Sequence, residues 1–247
     1  MSDNPHLSRH ARHVALAQVG AAGQERISNG IALLIGVGGI GCGAASYLAS
    51  SGVGHLLLSD FDTVDVTNLG RQTLYGPNDV GKQKAEQAKE QLAQINPEIE
   101  ITAITKRLDG AALASVVAQA DVVLDGSDNF ATRFQVNDAC VAANRCLISG
   151  AAIRLEGQLA VFGPDYESSP CYRCLYKEAD ESLENCAGNG VLAAVPGVIG
   201  TLMAVEALKE LAGITSPRGV LHLYDGARGD FRSVTITKNG NCRSCGL

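Results

Sequence analysis

The sequence predicts an α/β protein: a largely parallel sheet, followed by a more antiparallel C-terminal part tied down by cysteines. Three observations predict it. Short apolar runs alternate with helical stretches up to residue 150, the pattern of repeated β–α units. A glycine-rich turn lies between the first apolar run and the first small-residue helix. Beyond residue 150 the alternation gives way to strand-like runs, loops and two C-x-x-C pairs.

The chain has 247 residues, of which 46% are hydrophobic and 19% charged, the balance of a globular protein and not of a disordered one. A chain of this length buries a core without staples. We read residues 1–247 as one domain: N-terminal helices (8–29), a nucleotide-binding part (30–150) and a C-terminal part (151–247). Lys plus Arg is 20 and Asp plus Glu 26, a net charge of −6, which argues against a general nucleic-acid binder. Residues 1–13 lack the apolar core of a signal peptide. The longest apolar stretch, 191–205, is broken by Pro196, Gly197 and Gly200 and is shorter than the roughly 20 residues of a span. No membrane association is therefore expected, and the cytoplasm is the expected compartment, with the 8 cysteines reduced.

The elements follow in order. Residues 8–29 read as one or two short helices. Residues 32–35 form an apolar strand, the glycine turn follows, and a small-residue helix runs over about 42–51. Residues 55–59 are a second strand, ending at Asp60. Residues 81–95 have helical spacing, with Ala85, Ala88, Leu92 and Ile95 on one face and Pro97 as the stop. Residues 99–105 alternate like a strand, 111–118 are helical, and 120–124 form a strand ending at Asp125. A helix over 132–143 and a strand over 146–149 complete a right-handed, largely parallel arrangement. Residues 158–162 begin the antiparallel region, 164–190 are loop-rich, 198–211 are helical, and 220–224 and 232–237 are the last strands.

Gly36 to Gly41 fits G-x-G-x-x-G between a strand and a helix, as in a Rossmann-like fold. Such glycines let the backbone approach a phosphate, and the following helix presents free N–H groups and its positive end. Asp60 stands where an acid binds ribose hydroxyls. These features alone favour an NAD enzyme, with a ligand-free glycine turn as the bland alternative. The extra Gly39, then Asp62, the run Asn68-Leu69-Gly70-Arg71-Gln72 and Lys84 point instead to a triphosphate, whose departing pyrophosphate needs cations. Taken singly, Arg71 and Lys84 also read as solvated surface charges.

Cys171 with Cys174 and Cys242 with Cys245 supply four thiolates at the spacing of a closed, structural zinc site. A thioredoxin-like redox motif is the rival for a single pair, and two pairs argue against it. Cys42, Cys140 and Cys146 read as small buried hydrophobes. Cys186 differs, lying in Glu184-Asn185-Cys186-Ala187-Gly188-Asn189-Gly190, a polar loop where a thiol is free to form a thioester, persulfide or acyl disulfide; an incidental loop thiol is the alternative.

Together these motifs resemble the MoeB/ThiF family, bacterial relatives of the ubiquitin-activating enzymes, from about residue 8 onward. They are Gly36 to Gly41, Asp60-Phe61-Asp62, Asn68 to Gln72, Lys84, Asp125 to Asn129, Cys171 to Cys174 and Cys242 to Gly246. The resemblance implies ATP-dependent adenylation of the C-terminal Gly-Gly carboxylate of a ubiquitin-like sulfur carrier. It implies Gly36, Gly38, Gly39 and Gly41 at the phosphates and Asp60 on the ribose, with Asp62 and Gln72 also at the nucleotide. It places Asn68, Arg71 and Lys84 on the triphosphate, Asp128 on Mg²⁺ with Asn129 beside it, and zinc on the four cysteines. Arg12 is similar to an arginine that reaches the partner's site in a homodimer. Departures are Arg9-His10-Ala11-Arg12-His13 for the usual Arg-Tyr-x-Arg-Gln, Gly at 70, and Gly126-Ser127 for Cys-Thr.

The chemistry is coherent without the family. A carboxylate attacking the α-phosphate needs no general base, only positioning and charge neutralisation by Mg²⁺, Arg and Lys. Gly150 to Gln158 resembles the molybdopterin branch, while Asn185-Cys186 and Leu223 to Gly226 resemble the thiamine thiazole branch; the reading favours the molybdopterin synthase small subunit as carrier. Only Gly246 and Leu247 follow the second cysteine pair. No fused rhodanese domain is therefore expected, and sulfur is expected from a separate persulfide donor, a cysteine desulfurase or rhodanese. An NAD-dependent oxidoreductase and a non-catalytic carrier-binding scaffold are the readings from other classes.

Overall fold

The computed structural model describes residues 9–176 and 190–246. Among the described residues, helices α1 (Ala11–Val14) and α2 (Gly20–Asn29) precede β1 (Ile31–Ile35). The order then runs α3 (Gly39–Ser50), β2 (His55–Ser59), α4 (Lys84–Ile95), β3 (Glu100–Ile104), α5 (Gly110–Gln119), β4 (Val122–Asp125), α6 (Phe130–Ala143) and β5 (Cys146–Ile153). The remainder is β6 (Glu156–Phe162), α7 (Tyr172–Leu175), α8 (Ala194–Ala212), β7 (Val220–Asp225) and β8 (Asp230–Thr235).

One eight-stranded sheet has the order β3-β2-β1-β4-β5-β6-β7-β8. The first five strands pair in parallel and the last three add on antiparallel, as the change of pattern near residue 150 predicts. Alternate side chains of each buried strand feed opposite layers. Leu34, Leu58 and Ile148 pack against α3, α4 and α8 on one face. Leu33, Leu57 and Leu147 pack against α5 and α6 on the other, in a layer that also holds Cys171, Cys242 and Cys245. Among the described residues, no helix is long and apolar enough to cross a membrane.

Several boundaries differ from the sequence reading for physical reasons. The helix after the glycine turn begins at Gly39 and not near 42, so the last glycines belong to its first turn. Helix α8 begins at Ala194, with Pro196 in the first turn, where a proline's missing N–H costs nothing. Strand β5 runs past Ser149 to Ile153, because β6 pairs with it after β4 has ended.

Helices α3 and α8 cross in near-backbone contact. A Cβ on Gly200 would stand 2.1 Å from the Ile40 carbonyl oxygen, and one on Gly43 would stand 3.2 Å from that of Gly197. Gly200→Ala must therefore push the two helices apart. The expected cost is about 1–3 kcal/mol, in the range of overpacked cores, read as a lower urea midpoint with unchanged slope. An unchanged midpoint would show that the helices part freely.

Candidate active site

The ends of the parallel strands build the site. At the end of β1, Gly36 has φ +84°, a conformation open to glycine. A Cβ there would sit 3.3 Å from Gly126 and Ser127, so the turns after β1 and β4 touch. Gly38 precedes α3, whose N-terminus carries no side-chain cap. Its leading N–H groups and positive end are thus available to a phosphate. Gly41 plays a different part: its Cβ would lie 2.1 Å from the Gly36 carbonyl oxygen, so it lets the helix close on the turn without lining the cavity.

Asp60 ends β2 and is buried. Its Oδ2 accepts from the Val37 N–H at 2.8 Å and its Oδ1 from the Asp62 N–H at 3.0 Å. Burial pushes this carboxyl up, opposed by the Lys84 charge and those two N–H groups. Lys84 opens α4 with a buried side chain and donates to Asp62 at 3.0 Å. Between them, Asn68 Oδ1 accepts from the Asp65 N–H at 3.1 Å and fixes the turn from which Arg71 and Gln72 follow. Arg71 Nη1 donates to the Thr67 carbonyl at 2.9 Å. After β4, Asp125 accepts from the Ser127 N–H at 2.9 Å, Asp128 stands exposed, and Asn129 caps α6 by accepting from the Thr132 N–H at 2.9 Å.

These segments surround a cavity of about 640 Å³. Gly36, Gly38, Gly39, Asp60, Asp62, Asn68, Arg71, Gln72, Lys84, Asp128 and Asn129 all line it. Arg12 does not; it lies on α1 with its side chain exposed. Cys186 lies outside the described residues. Sequence reasoning missed three further cations of the wall, Arg107, Arg133 and Arg154. Arg133 had a signal: it shares the buried face of α6 with Phe130, Phe134 and Asn137, an unusual place for a charge. Arg107 follows β3, at the sheet edge where open α/β folds bind ligands, and sits 5.4 Å over the Phe61 ring. The wall also holds two buried polar atoms without a partner, Gln72 Oε1 and Ser127 Oγ. Such orphans, with five cations, fit a polyanion that brings its own hydrogen-bonding groups.

The four cysteine sulfurs lie within 4.8 Å of one another. Cys171 and Cys242 are 3.6 Å apart and Cys174 and Cys245 3.5 Å apart. A tetrahedral ion with Zn–S near 2.3 Å requires sulfurs about 3.8 Å apart, so the set fits zinc and leaves no open position. Burial opposes ionisation of the Cys242 thiol, but the N–H groups of Cys245 and Ser244 outweigh it and bring it down to about 7. The remaining described cysteines are inert: burial pushes Cys42 and Cys146 up to about 12 and raises Cys140 as well. Both knuckles are tied to α6. The Tyr172 N–H donates to Asn137 at 2.8 Å, Arg173 pairs with Asp138 at 2.7 Å, and Ser244 Oγ donates to Asp138.

A glycine turn, an acid at the end of β2 and an Arg–Lys pair at the ends of one parallel sheet define a nucleotide-binding α/β protein whose cavity suits a triphosphate. The match to the ThiF family covers residues 10–244, and the chain belongs to that family. It is 45% identical to the molybdopterin-synthase adenylyltransferase of Escherichia coli K12, over 100% of this chain and 98% of that protein. It is 44% identical to the sulfur carrier protein ThiS adenylyltransferase of the same strain, over 96% of this chain and 94% of that protein. Among solved structures it resembles E. coli MccB crystallised with ATP, with a TM-score of 0.84 and 26% identity over 99% of this chain and 75% of that one.

Proposed function

We propose that this chain adenylates the C-terminal glycine of a ubiquitin-like sulfur carrier, using ATP and Mg²⁺. The observation that carries the reading is the composition of the cavity. Five cations and a bare helix N-terminus face it, while among its described residues there is neither histidine nor cysteine. Such a wall serves a nucleophile that is already ionised. A carboxylate oxygen bonds to the α-phosphorus, the bond to the bridging oxygen breaks, and pyrophosphate leaves with the electron pair; no proton moves. Asp60 would orient the ribose, Arg71, Lys84 and Asn68 would hold the phosphates, Asp128 would hold Mg²⁺, and Asn129 would lie at the nucleotide. Mg²⁺ supplies charge neutralisation on the departing phosphates.

The wall formed by Ala151, Ala152, Ile153, Gln158, Tyr176 and Leu223 would receive the carrier's tail. Relatives acting on the two bacterial carriers are equally similar. We favour the molybdopterin synthase small subunit from the residue pattern 150–158, with the thiamine carrier as the comparison. Arg12 belongs in this reading to the neighbouring site of a homodimer, the sulfur donor is a separate persulfide protein, and the compartment is the cytoplasm.

The test is carrier-dependent ATP–pyrophosphate exchange with each carrier, with mass spectrometry for the acyl-AMP adduct. Exchange with at least one carrier is expected, with the higher kcat/KM on the molybdopterin carrier. Cys186→Ala is expected to leave exchange near wild type and to slow only later sulfur transfer, because attack on phosphorus uses no thiol. Tight NAD binding with no ATP binding would overturn the adenylation reading.

A further inference from the structure

Arg133 is the one buried cation of α6. Its guanidinium turns back across the fork where the sheet divides. Strand β4 ends at Asp125, opposite Ser149, while β5 continues to Ile153 with β6 as its partner. Into that fork Arg133 Nη2 donates to the Ser127 carbonyl and, at 2.9 Å, to the Gly150 carbonyl, and Nη1 reaches Ser149 Oγ at 3.4 Å. Ser127 immediately precedes Asp128, and Gly150 immediately precedes the wall segment 151–154. One rigid planar group therefore spans the two parts of the cavity that must meet in the reaction.

We propose that Arg133 is a positioning residue that registers the Asp128 turn against the end of β5, and so sets the metal-binding carboxylate relative to the acyl substrate. The proposal rests on the adenylation reading and on Asp128 as the metal ligand. A planar fork with several donors meets carbonyls on two strands at once, which a lysine's single ammonium does with a different reach and geometry. Neither carbonyl is reached by another described side chain. Without the guanidinium, the Ser127–Asp128 turn keeps the Gly126 N–H bond to the Ile35 carbonyl, the Asp125–Ser127 bond and the Asn129 cap, none of which refers to β5. ATP contacts at Asp60, Arg71 and Lys84 lie on other segments and do not pass through Arg133.

The test uses Arg133→Lys in the full-length protein, with Ser149→Ala as a milder variant removing one acceptor of the same brace. Affinity for Mn²⁺ of the complex with a non-hydrolysable ATP analogue is read by electron paramagnetic resonance, beside exchange kinetics. Arg133→Lys is expected to weaken Mn²⁺ binding and lower kcat for exchange by about tenfold each, with metal-free ATP-analogue affinity within about twofold of wild type. Ser149→Ala is expected to shift both by about twofold in the same direction. Guanidinium ion should restore part of the loss in Arg133→Ala. In a double-mutant cycle with Asp128→Asn, the Arg133→Lys effect on Mn²⁺ should vanish. If Asp128→Asn weakens Mn²⁺ but folded Arg133→Lys and Ser149→Ala do not, the positioning role is wrong and the adenylation reading stands. If Asp128→Asn itself leaves Mn²⁺ binding unchanged, the metal assignment fails and takes this role with it. A loss of analogue affinity parallel to the loss of Mn²⁺ affinity would show a merely structural arginine.

Discussion

Asp128→Asn is expected to lower carrier-dependent ATP–pyrophosphate exchange by about 10²–10³-fold, the usual effect of removing one preorganised electrostatic group from a reacting centre. The substitution is nearly isosteric, and Asp128 is exposed at the cavity wall, so the fold has little to lose. The lost function is charge. Two anions, a carboxylate and a triphosphate, must approach to bonding distance, and pyrophosphate must leave with added charge. In the proposed reading Arg71 and Lys84 face the phosphates, and the Lys84 charge is partly offset by its pairing with Asp62 at 3.0 Å. In the proposed reading a divalent ion supplies the remaining neutralisation at Asp128, the exposed carboxylate of the turn after β4. The expected signature is a fall in kcat at saturating ATP, with little change in metal-free nucleotide affinity. The same variant tests the proposed sharing of the site between two copies of the chain. Mixed with Arg12→Ala after subunit exchange, it should regain activity, because a heterodimer contains one site with both groups intact. Absence of rescue after verified exchange would count against Arg12, while retained activity of Asp128→Asn alone would remove Asp128 from the reaction.

The parallel half of the fold was legible because its signals are local. Five strand-like runs, the first four each followed by a turn and a helix, predict the parallel strands to within a residue or two, apart from the extended end of β5. The glycines of 36–41 are read correctly from spacing, but their division of labour is not. That Gly41 supports the helix while Gly36, Gly38 and Gly39 face the cavity depends on contacts with Gly126 and Pro196, which are distant in sequence. Arg133 and Arg154 were missed for a related reason. A buried arginine is specified by the carbonyls that surround it, and those of Ser127 and Gly150 come from two other elements. Arg154 occupies a positive-φ turn at 55° that no glycine or asparagine announced. Pro196 misled the reading of α8 because a proline marks a helix start as well as a helix stop.

Removal of one zinc-site thiolate, as in Cys242→Ser, is expected to lose the metal and to destabilise the protein by at least about 3 kcal/mol. That lies below the roughly 10–16 kcal/mol of metal binding in zinc-finger peptides, which lack any other core. Here both hydrophobic layers persist, and only the second layer holds the cysteines. At about 2–4 °C per kcal/mol for a chain of this size, Tm should fall by about 6–12 °C. The cysteine pairs lie 71 residues apart across the cluster, so an ion bound there would close the C-terminal segment onto α6. Without it, Arg173–Asp138 and Ser244–Asp138 remain as weak ties on a partly exposed carboxylate. The functional consequence should be unequal at the two ends of the cavity. Tyr172 and Tyr176 project from the first knuckle into the wall proposed to receive the carrier, with Tyr176 donating to Gln158 at 2.9 Å. The side proposed to hold the phosphates rests on α3 and β2, in the other half of the sheet. Below its melting range, Cys242→Ser should thus bind the carrier several-fold more weakly while ATP affinity stays near wild type. Calorimetric titration of both ligands, with zinc content and Tm on the same samples, decides the matter. A metal-free protein with unchanged Tm would remove the structural role of the site, and an equal loss of ATP and carrier affinity would show that zinc supports the whole cavity.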